Sequence, residues 1–266
     1  MRTDYRIGWR RSAKKYKMRI RGSTMRRLMI GNEAIARGAY EAGATVATAY
    51  PGTPSTEILE FFSRYDGVYA EWAPNEKVAF EVGCGASIAG ARTLVAMKHV
   101  GVNVAADPLF TFAYTGVNGG LVLVSADDPG MHSSQNEQDN RGYGKFAKLL
   151  VVEPSDSQEA KDFVFSAFEL SERFDTPVML RITTRLAHSQ SMVEEGERQQ
   201  VDLKPYTKDA AKYVMLPGHA RLRHLEVEKR MAALREYVEE SPLNRIEWGD
   251  RALGIVTSGV AYQYVK

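Results

Sequence analysis

Two short segments, about twenty residues apart, carry the residue types best able to do chemistry. The first is Tyr50-Pro51-Gly52-Thr53-Pro54-Ser55-Thr56. Its prolines set a turn, and Gly52 lets a ligand come close to the backbone. Thr53, Ser55 and Thr56 add hydroxyls beside a helix start, which suits an anion. The second is Pro74-Asn75-Glu76-Lys77-Val78-Ala79, which places the Glu76 carboxylate at the entry of a helix of small and apolar residues. Removal from water favours the protonated form of such a group, while the helix N-terminus favours the charged form. That balance is how an enzyme keeps a proton available near neutral pH. The same spacing also fits a solvated first-turn glutamate beside Lys77 and Glu81, and the turn alone fits a capped helix start with no ligand.

A third segment is the polar run from Asp127 to about Arg141, which includes His132, Ser133, Gln135, Glu137 and Asp139. Long polar loops at strand ends commonly carry function. A metal site built from His132, Glu137 and Asp139 is weakly supported, since no second histidine stands at ligand spacing. His99, at a strand end, reads more readily as structural than as catalytic. Gly83-Cys84-Gly85 and Gly90 do not form a dinucleotide fingerprint: their spacing is wrong, and they lie inside a helix. The glycines lower the propensity of that helix, so its small residues imply something packed closely against it.

The elements that must position these residues alternate. Helices are expected over Asn32–Ala42, from Ser55 (with Ser55 as cap and Glu57 in the first turn), over Glu76–Ala91, over Val102–Tyr114 and from a start at Pro154-Ser155-Asp156-Ser157 to about Glu172. Strands are expected over Thr45–Ala49, Val68–Trp72, Thr93–Lys98, Leu121–Ala126, Leu149–Glu153 and Val178–Thr184. The continuous apolar run 121–126 is typical of a central parallel strand buried on both faces. The fold class is therefore α/β, a parallel sheet with helices on both faces, whose ligands bind at the strand C-termini.

After His188 the alternation stops. Residues 189–218 read as a polar linker, followed by a charged helix over His219–Glu239 with Leu222, Leu225, Met231, Leu234 and Val238 near one face. Ala252–Thr257 reads as a strand and Val260–Lys266 as the start of a helix. The expected organisation is a basic, disordered extension over 1–27, an α/β domain over 28–188, a linker and charged helix over 189–250, and the truncated start of a second α/β domain over 251–266. The chain is thus expected to be a fragment.

Composition narrows the class. The 266 residues, 44% hydrophobic, suffice for one substantial core. No apolar run reaches the roughly 18 residues of a membrane span. Cys84 is the single cysteine, which excludes an intrachain disulfide and fits a reducing, cytoplasmic setting. Residues 1–27 hold eleven Lys and Arg against Asp4, leaving 24 basic and 32 acidic residues elsewhere, a net charge of −8. Such an arm can bind nucleic acid or anionic lipid. The blander reading, an extension that is disordered or untranslated, with Met18 and Met25 as later starts, is preferred.

The motifs resemble a known family. Tyr50–Thr56, Asn75-Glu76-Lys77-Val78-Ala79, the stretch Lys98–Pro108 and Asp127-Asp128-Pro129-Gly130 are similar to the N-terminal part of the large (alpha) subunit of indolepyruvate:ferredoxin oxidoreductases. Ser241–Arg251 looks like that subunit's entry into its second domain, and the resemblance covers about residues 28–266. It implies a thiamine diphosphate-binding fold, here the pyrimidine domain. It also implies an enzyme that oxidatively decarboxylates aryl pyruvates to acyl-coenzyme A and reduces ferredoxin through iron–sulfur clusters. By the same resemblance Glu76 meets the pyrimidine N1′ and shares a proton with it, and Gly52 lies at the cofactor. Thr53 is expected to contact the substrate carboxylate, and His132, Ser133 and Gln135 are expected to line the pocket, although no motif assigns these three a role.

Mg²⁺ and 4Fe-4S clusters are implied for the whole enzyme but not on these residues. Neither a GDG…N segment nor a cysteine-rich segment occurs in them. The implied partners are a second (gamma- or beta-type) subunit, a second copy across the thiamine site, ferredoxin and a small 2-oxoacid, with neither membrane nor nucleic acid. The competing readings are a non-catalytic thiamine-fold binding or dimerisation module, and an oxidoreductase for another 2-oxoacid such as pyruvate.

Overall fold

A computed structural model describes residues 25–266. In chain order the elements are β1 (Arg26–Ile30), α1 (Gly31–Glu41), β2 (Val46–Ala49), α2 (Thr56–Phe62), β3 (Tyr69–Trp72), α3 (Glu76–Ile88) and β4 (Thr93–Lys98). There follow α4 (His99–Val104), α5 (Ala106–Thr115), β5 (Leu121–Asp127), α6 (Arg141–Ala147), β6 (Leu150–Val152), α7 (Ser157–Phe174) and β7 (Val178–Thr183). The last are α8 (Thr184–His188), β8 (Gln190–Glu194), α9 (Ala210–Tyr213), α10 (Pro217–Glu240), a 3-10 turn (Gly259–Ala261) and α11 (Tyr262–Val265).

Six strands form one parallel sheet in the order β3-β2-β4-β5-β7-β6. Its central strands β4 and β5 are buried along their whole length because both faces are covered. Alternate residues of one strand enter different cores. Leu94, Ala96, Val122, Val124, Leu180 and Ile182 pack with Ile35, Ile58, Val164 and Phe168 of α1, α2 and α7. Val95, Met97, Leu121, Leu123 and Met179 pack with Phe80, Val102, Leu109 and Phe112 of α3, α4 and α5. The fold is the α/β class expected, with helices on both faces.

The small residues of α3 have a visible cause. A β-carbon on Gly83 would lie 2.5 Å from Val95 Cγ2, and the Thr48 hydroxyl donates to the Ala79 carbonyl at 2.7 Å. What approaches this helix closely is the sheet itself.

The structure departs from expectation in several places. The helix expected over Val102–Tyr114 is two helices. Pro108 has no N–H for the Val104 carbonyl, so α4 ends there and Pro108 sits in the first turn of α5. Helix α6 lies where no element was expected. Of the expected extension, 1–24 falls outside the described residues, while Arg26 and Arg27 belong to β1. That strand pairs antiparallel with β8, inside the expected linker, and Arg26 meets Glu194 at 2.6 Å.

The rest of that segment is a strap across the sheet's N-terminal edge. It bonds in turn to the loops that enter β2, β4, β5 and β7. Arg198 donates to the Ala44 carbonyl (3.3 Å), Lys204 N–H to the Gly90 carbonyl (3.2 Å) and Lys212 Nζ to Asp175 (2.9 Å). Lys204 Nζ donates to the Asn118 carbonyl (3.1 Å) and also reaches Glu172 at 3.1 Å, beside Arg92 Nε at 2.9 Å from the same carboxylate. Burial works to raise the Glu172 carboxyl, but Arg92 and Lys204 outweigh it and hold the group at about 2, below its ordinary 4.5. Its stabilisation is therefore complete above about pH 4.5 and drains away as pH falls toward 2. Thermal denaturation across that window is expected to show a falling midpoint that Glu172→Gln flattens.

The inward face of α10 is Val227, Arg230 and Leu234, whereas Leu222 and Leu225 are exposed, against expectation. The C-terminal turn of α5 presents carbonyls that need donors. Arg230 reaches the Ala113 carbonyl at 2.7 Å and Arg223 the Tyr114 carbonyl at 2.8 Å, so two arginines choose the face rather than the leucines. Ala252–Thr257 forms no strand: no neighbouring strand pairs with it, and Leu253, Ile255 and Val256 are exposed. Among the described residues no helix is long and apolar enough to cross a membrane.

Candidate functional site

The site is organised by the residues that leave β4. Strand β4 ends in Lys98, and His99-Val100-Gly101 open α4. Each of the three chemistry-bearing segments touches this corner.

Glu76 is the first residue of α3. Asn75 caps that helix, its side chain accepting the Val78 N–H at 3.0 Å, which fixes the first turn. Glu76 is half-buried, and its carboxylate lies over Gly101. A β-carbon on Gly101 would stand 2.6 Å from both Cγ and Oε1 of Glu76, so the missing side chain is what leaves the carboxylate its place. Lys77 turns the other way, to Asp107 at 3.1 Å and Glu81 at 3.9 Å. Among the described residues the Glu76 carboxylate has neither ion pair nor hydrogen bond.

The Tyr50–Thr56 turn reaches the corner through Gly52, whose β-carbon would lie 3.3 Å from Lys98 Cβ. The turn uses two of its hydroxyls internally. Thr56 Oγ1 accepts the Gly52 N–H at 3.0 Å, and Ser55 donates to the Gly52 carbonyl at 2.9 Å rather than capping α2 as expected. Thr53, exposed and preceding a cis proline, is the hydroxyl left over.

Two carboxylates root the polar loop after β5. Asp127 is fully buried and accepts Arg181 Nε at 2.9 Å and the Asn140 N–H at 3.0 Å. Burial pushes its carboxyl up, and Arg181 and Asn140 offset only part of that. Asp128 accepts the Ser133 N–H (2.8 Å), the Ser134 hydroxyl and the Thr184 hydroxyl (2.8 Å). Burial opposes them, but these donors hold its carboxyl well below the usual carboxylate range. Lys98 Nζ donates to the Ser133 carbonyl at 2.6 Å. The Asn140 amide donates to the His99 carbonyl at 3.0 Å, and His99 Nε2 lies 3.1 Å from the Asn136 carbonyl. His99 is thus a buried anchor of the loop.

His132 and Gln135 lie exposed on that loop, flanking Ser133. Glu137 accepts the Gly130 N–H and Asp139 pairs with Arg141, so neither joins His132, and among the described residues no cluster could hold a metal ion. Burial, with Glu81 adding to it, pushes the Cys84 thiol far up, which makes it a packing residue rather than a nucleophile. Cavities of about 490 and 560 Å³ lie beside Pro129 and the ends of β7, against residues 256–264, and His132 reaches the first. Neither is lined by Glu76.

Sequence reasoning assigned no role to Lys98 or Gly101. The available signals were a lysine ending an otherwise apolar strand and a glycine three residues after it.

Comparison with known proteins gives the chain's family. The indolepyruvate oxidoreductase subunit IorA of Archaeoglobus fulgidus is 52% identical over 249 residues, 90% of this chain and 40% of that protein. The subunit of the same name from Methanothermobacter thermautotrophicus is 47% identical over 243 residues, 89% of this chain and 39% of that protein. That organism's ketoisovalerate oxidoreductase subunit VorB is 30% identical over 160 residues, 56% of this chain and 45% of that protein. The chain therefore spans about two-fifths of the IorA relatives' length. The 2-oxoglutarate:ferredoxin oxidoreductase of Magnetococcus marinus, solved with 2-oxoglutarate, coenzyme A and succinyl-CoA, shares the fold at a TM-score of 0.66 and 18% identity, over 80% of this chain and 45% of that one. With residues 37–231 matched as the thiamine diphosphate-binding part of pyruvate flavodoxin/ferredoxin oxidoreductases, most of the chain is accounted for, and it belongs to that family.

Proposed function

We propose that this chain supplies the pyrimidine-binding half of a thiamine diphosphate site in a 2-oxoacid:ferredoxin oxidoreductase that converts aryl pyruvates, indolepyruvate among them, to acyl-coenzyme A. The observation that carries the reading is the Glu76 carboxylate, half-buried over Gly101 and free of any protein partner among the described residues. A carboxyl held this way can donate one proton to a ring nitrogen and take it back.

Thiamine diphosphate, when bound, supplies the electron sink that decarboxylation of a 2-oxoacid requires. The chain's own part is positional and protonic. Glu76 holds and returns one proton at a carboxylate oxygen. Gly52 lets the ligand approach the backbone, and Thr53 offers its hydroxyl to the substrate carboxylate. His132, Ser133 and Gln135 border the substrate from the loop. Mg²⁺ and 4Fe-4S clusters belong to the whole enzyme and not to these residues. A second subunit, a second copy of this chain and ferredoxin complete the assembly, in a cytoplasmic setting that the single cysteine supports.

Relatives named for indolepyruvate at 52% and 47% identity, against 30% for one named for ketoisovalerate, support the aryl substrate. The test is a panel of indolepyruvate, pyruvate, ketoisovalerate and 2-oxoglutarate with the complete complex, coenzyme A and ferredoxin. Indolepyruvate is expected to give a kcat/KM at least about 10-fold above the aliphatic acids, the scale set by apolar pocket contacts. A higher value for pyruvate or ketoisovalerate moves the assignment to that acid. Ferredoxin reduction with none of them leaves a non-catalytic module.

A further inference from the structure

Lys98 is a charge out of place. Its residue surface is 9% exposed, at the end of a strand otherwise made of apolar residues and threonine. Burying an ammonium is costly unless an opposite charge or several acceptors receive it. Here Nζ has one acceptor, the Ser133 carbonyl at 2.6 Å, and no carboxylate of the described residues lies within ion-pair distance. The neighbouring acid of the loop, Asp128, already takes the Ser133 N–H and the Ser134 and Thr184 hydroxyls. An ammonium has three donors, and only one is used.

The position of this charge is specific. The aliphatic stem runs along Gly52, whose absent side chain leaves room for it, and the head ends at Ser133, between His132 and Gln135. Lys98 thus bridges the turn that carries Thr53 and the loop expected to border the substrate. The next turn of chain is Gly101 with Glu76 upon it. A buried cation with spare donors, set between those two segments, is built for a small anion.

We propose that Lys98 binds the carboxylate of the 2-oxoacid, with Thr53 as the neutral partner and Lys98 as the charged one. The inference rests on the thiamine site proposed above and adds a substrate-binding residue to it. Its role is to hold the acid by a charge-assisted hydrogen bond and so to discriminate against neutral carbonyl compounds.

The experiment uses the complete complex with indolepyruvate, coenzyme A and thiamine diphosphate varied in turn. Lys98→Met keeps the stem against Gly52 and removes the charge. It is expected to raise the KM for indolepyruvate about 10- to 100-fold, the range for losing a hydrogen bond to a charged group. The KM for coenzyme A and the Kd for thiamine diphosphate stay unchanged. Lys98→Arg, which keeps the charge, recovers part of the loss, and Lys98→Gln, also neutral but able to keep the bond to the Ser133 carbonyl, gives the same rise in KM if the methionine variant does not fold. An unchanged KM for indolepyruvate overturns the proposal. So does a weakened Kd for thiamine diphosphate, which would give the charge to the cofactor phosphates, or a fall in kcat alone. A complex that depends on Glu76 but ignores Lys98 overturns only this inference. One inert toward every 2-oxoacid overturns the thiamine reading with it.

Discussion

Glu76→Gln in the complete complex is expected to lower 2-oxoacid-dependent ferredoxin reduction about 10²- to 10⁴-fold, the usual weight of a positioned acid–base group. Glutamine has nearly the same shape, so it fits the space over Gly101 and leaves the Asn75 cap and the first turn of α3 undisturbed. What it loses is the ability to take and return a proton. The loss should therefore fall on kcat, while thiamine diphosphate still binds through a hydrogen bond donated by the amide nitrogen. Steady-state kinetics and a cofactor titration, run side by side, separate the two quantities. If the variant keeps most of its activity, Glu76 has no part in the mechanism.

The second large effect comes from a residue that touches no substrate. Gly101→Ala places a methyl group 2.6 Å from Glu76 Cγ and Oε1, and one of them must move. The backbone is helical and well packed, whereas the glutamate side chain is free to rotate, so Glu76 yields. Displacing a catalytic group by about 1 Å costs on the order of 10²-fold in rate. The fold should lose nothing, since alanine is favoured over glycine in a helix by about 1 kcal/mol. The expected signature is activity falling by about two orders of magnitude with a thermal midpoint that holds or rises. A fall in both together would mean that Gly101 serves packing rather than the placement of Glu76.

These two residues also show where reading the chain stops. Glu76 was legible as a candidate because local chemistry announces it: a proline and a carboxylate at a helix start before a run of small residues. Its partner Gly101 was not, because only the packing of α3 beside α4 brings the two together, 25 residues apart in sequence. Lys98 was visible as a residue but not as a charge without a counterion, which depends on where every acid of the fold ends up.

The same division runs through the architecture. Strands β4 and β5 could be read from their apolar runs, because a strand buried on both faces needs no partner to reveal it. Helix α7 could be read from the start at Pro154-Ser155-Asp156-Ser157, within which the Asp156 side chain accepts the Glu159 N–H at 2.9 Å. Strand β8 could not: only Val193 of its five residues is buried, and its mate β1 lies more than 160 residues earlier. The inward face of α10 was equally hidden, since unsatisfied carbonyls at the end of α5 select Arg223 and Arg230 over the more apolar stripe. Local periodicity and turn chemistry, which act over a few residues, determined the chain order of the six sheet strands, the class of the sheet and the carboxylate at a helix start. Tertiary structure alone decided which residues meet at that edge, because contacts between distant segments depend on packing that no short window of sequence contains.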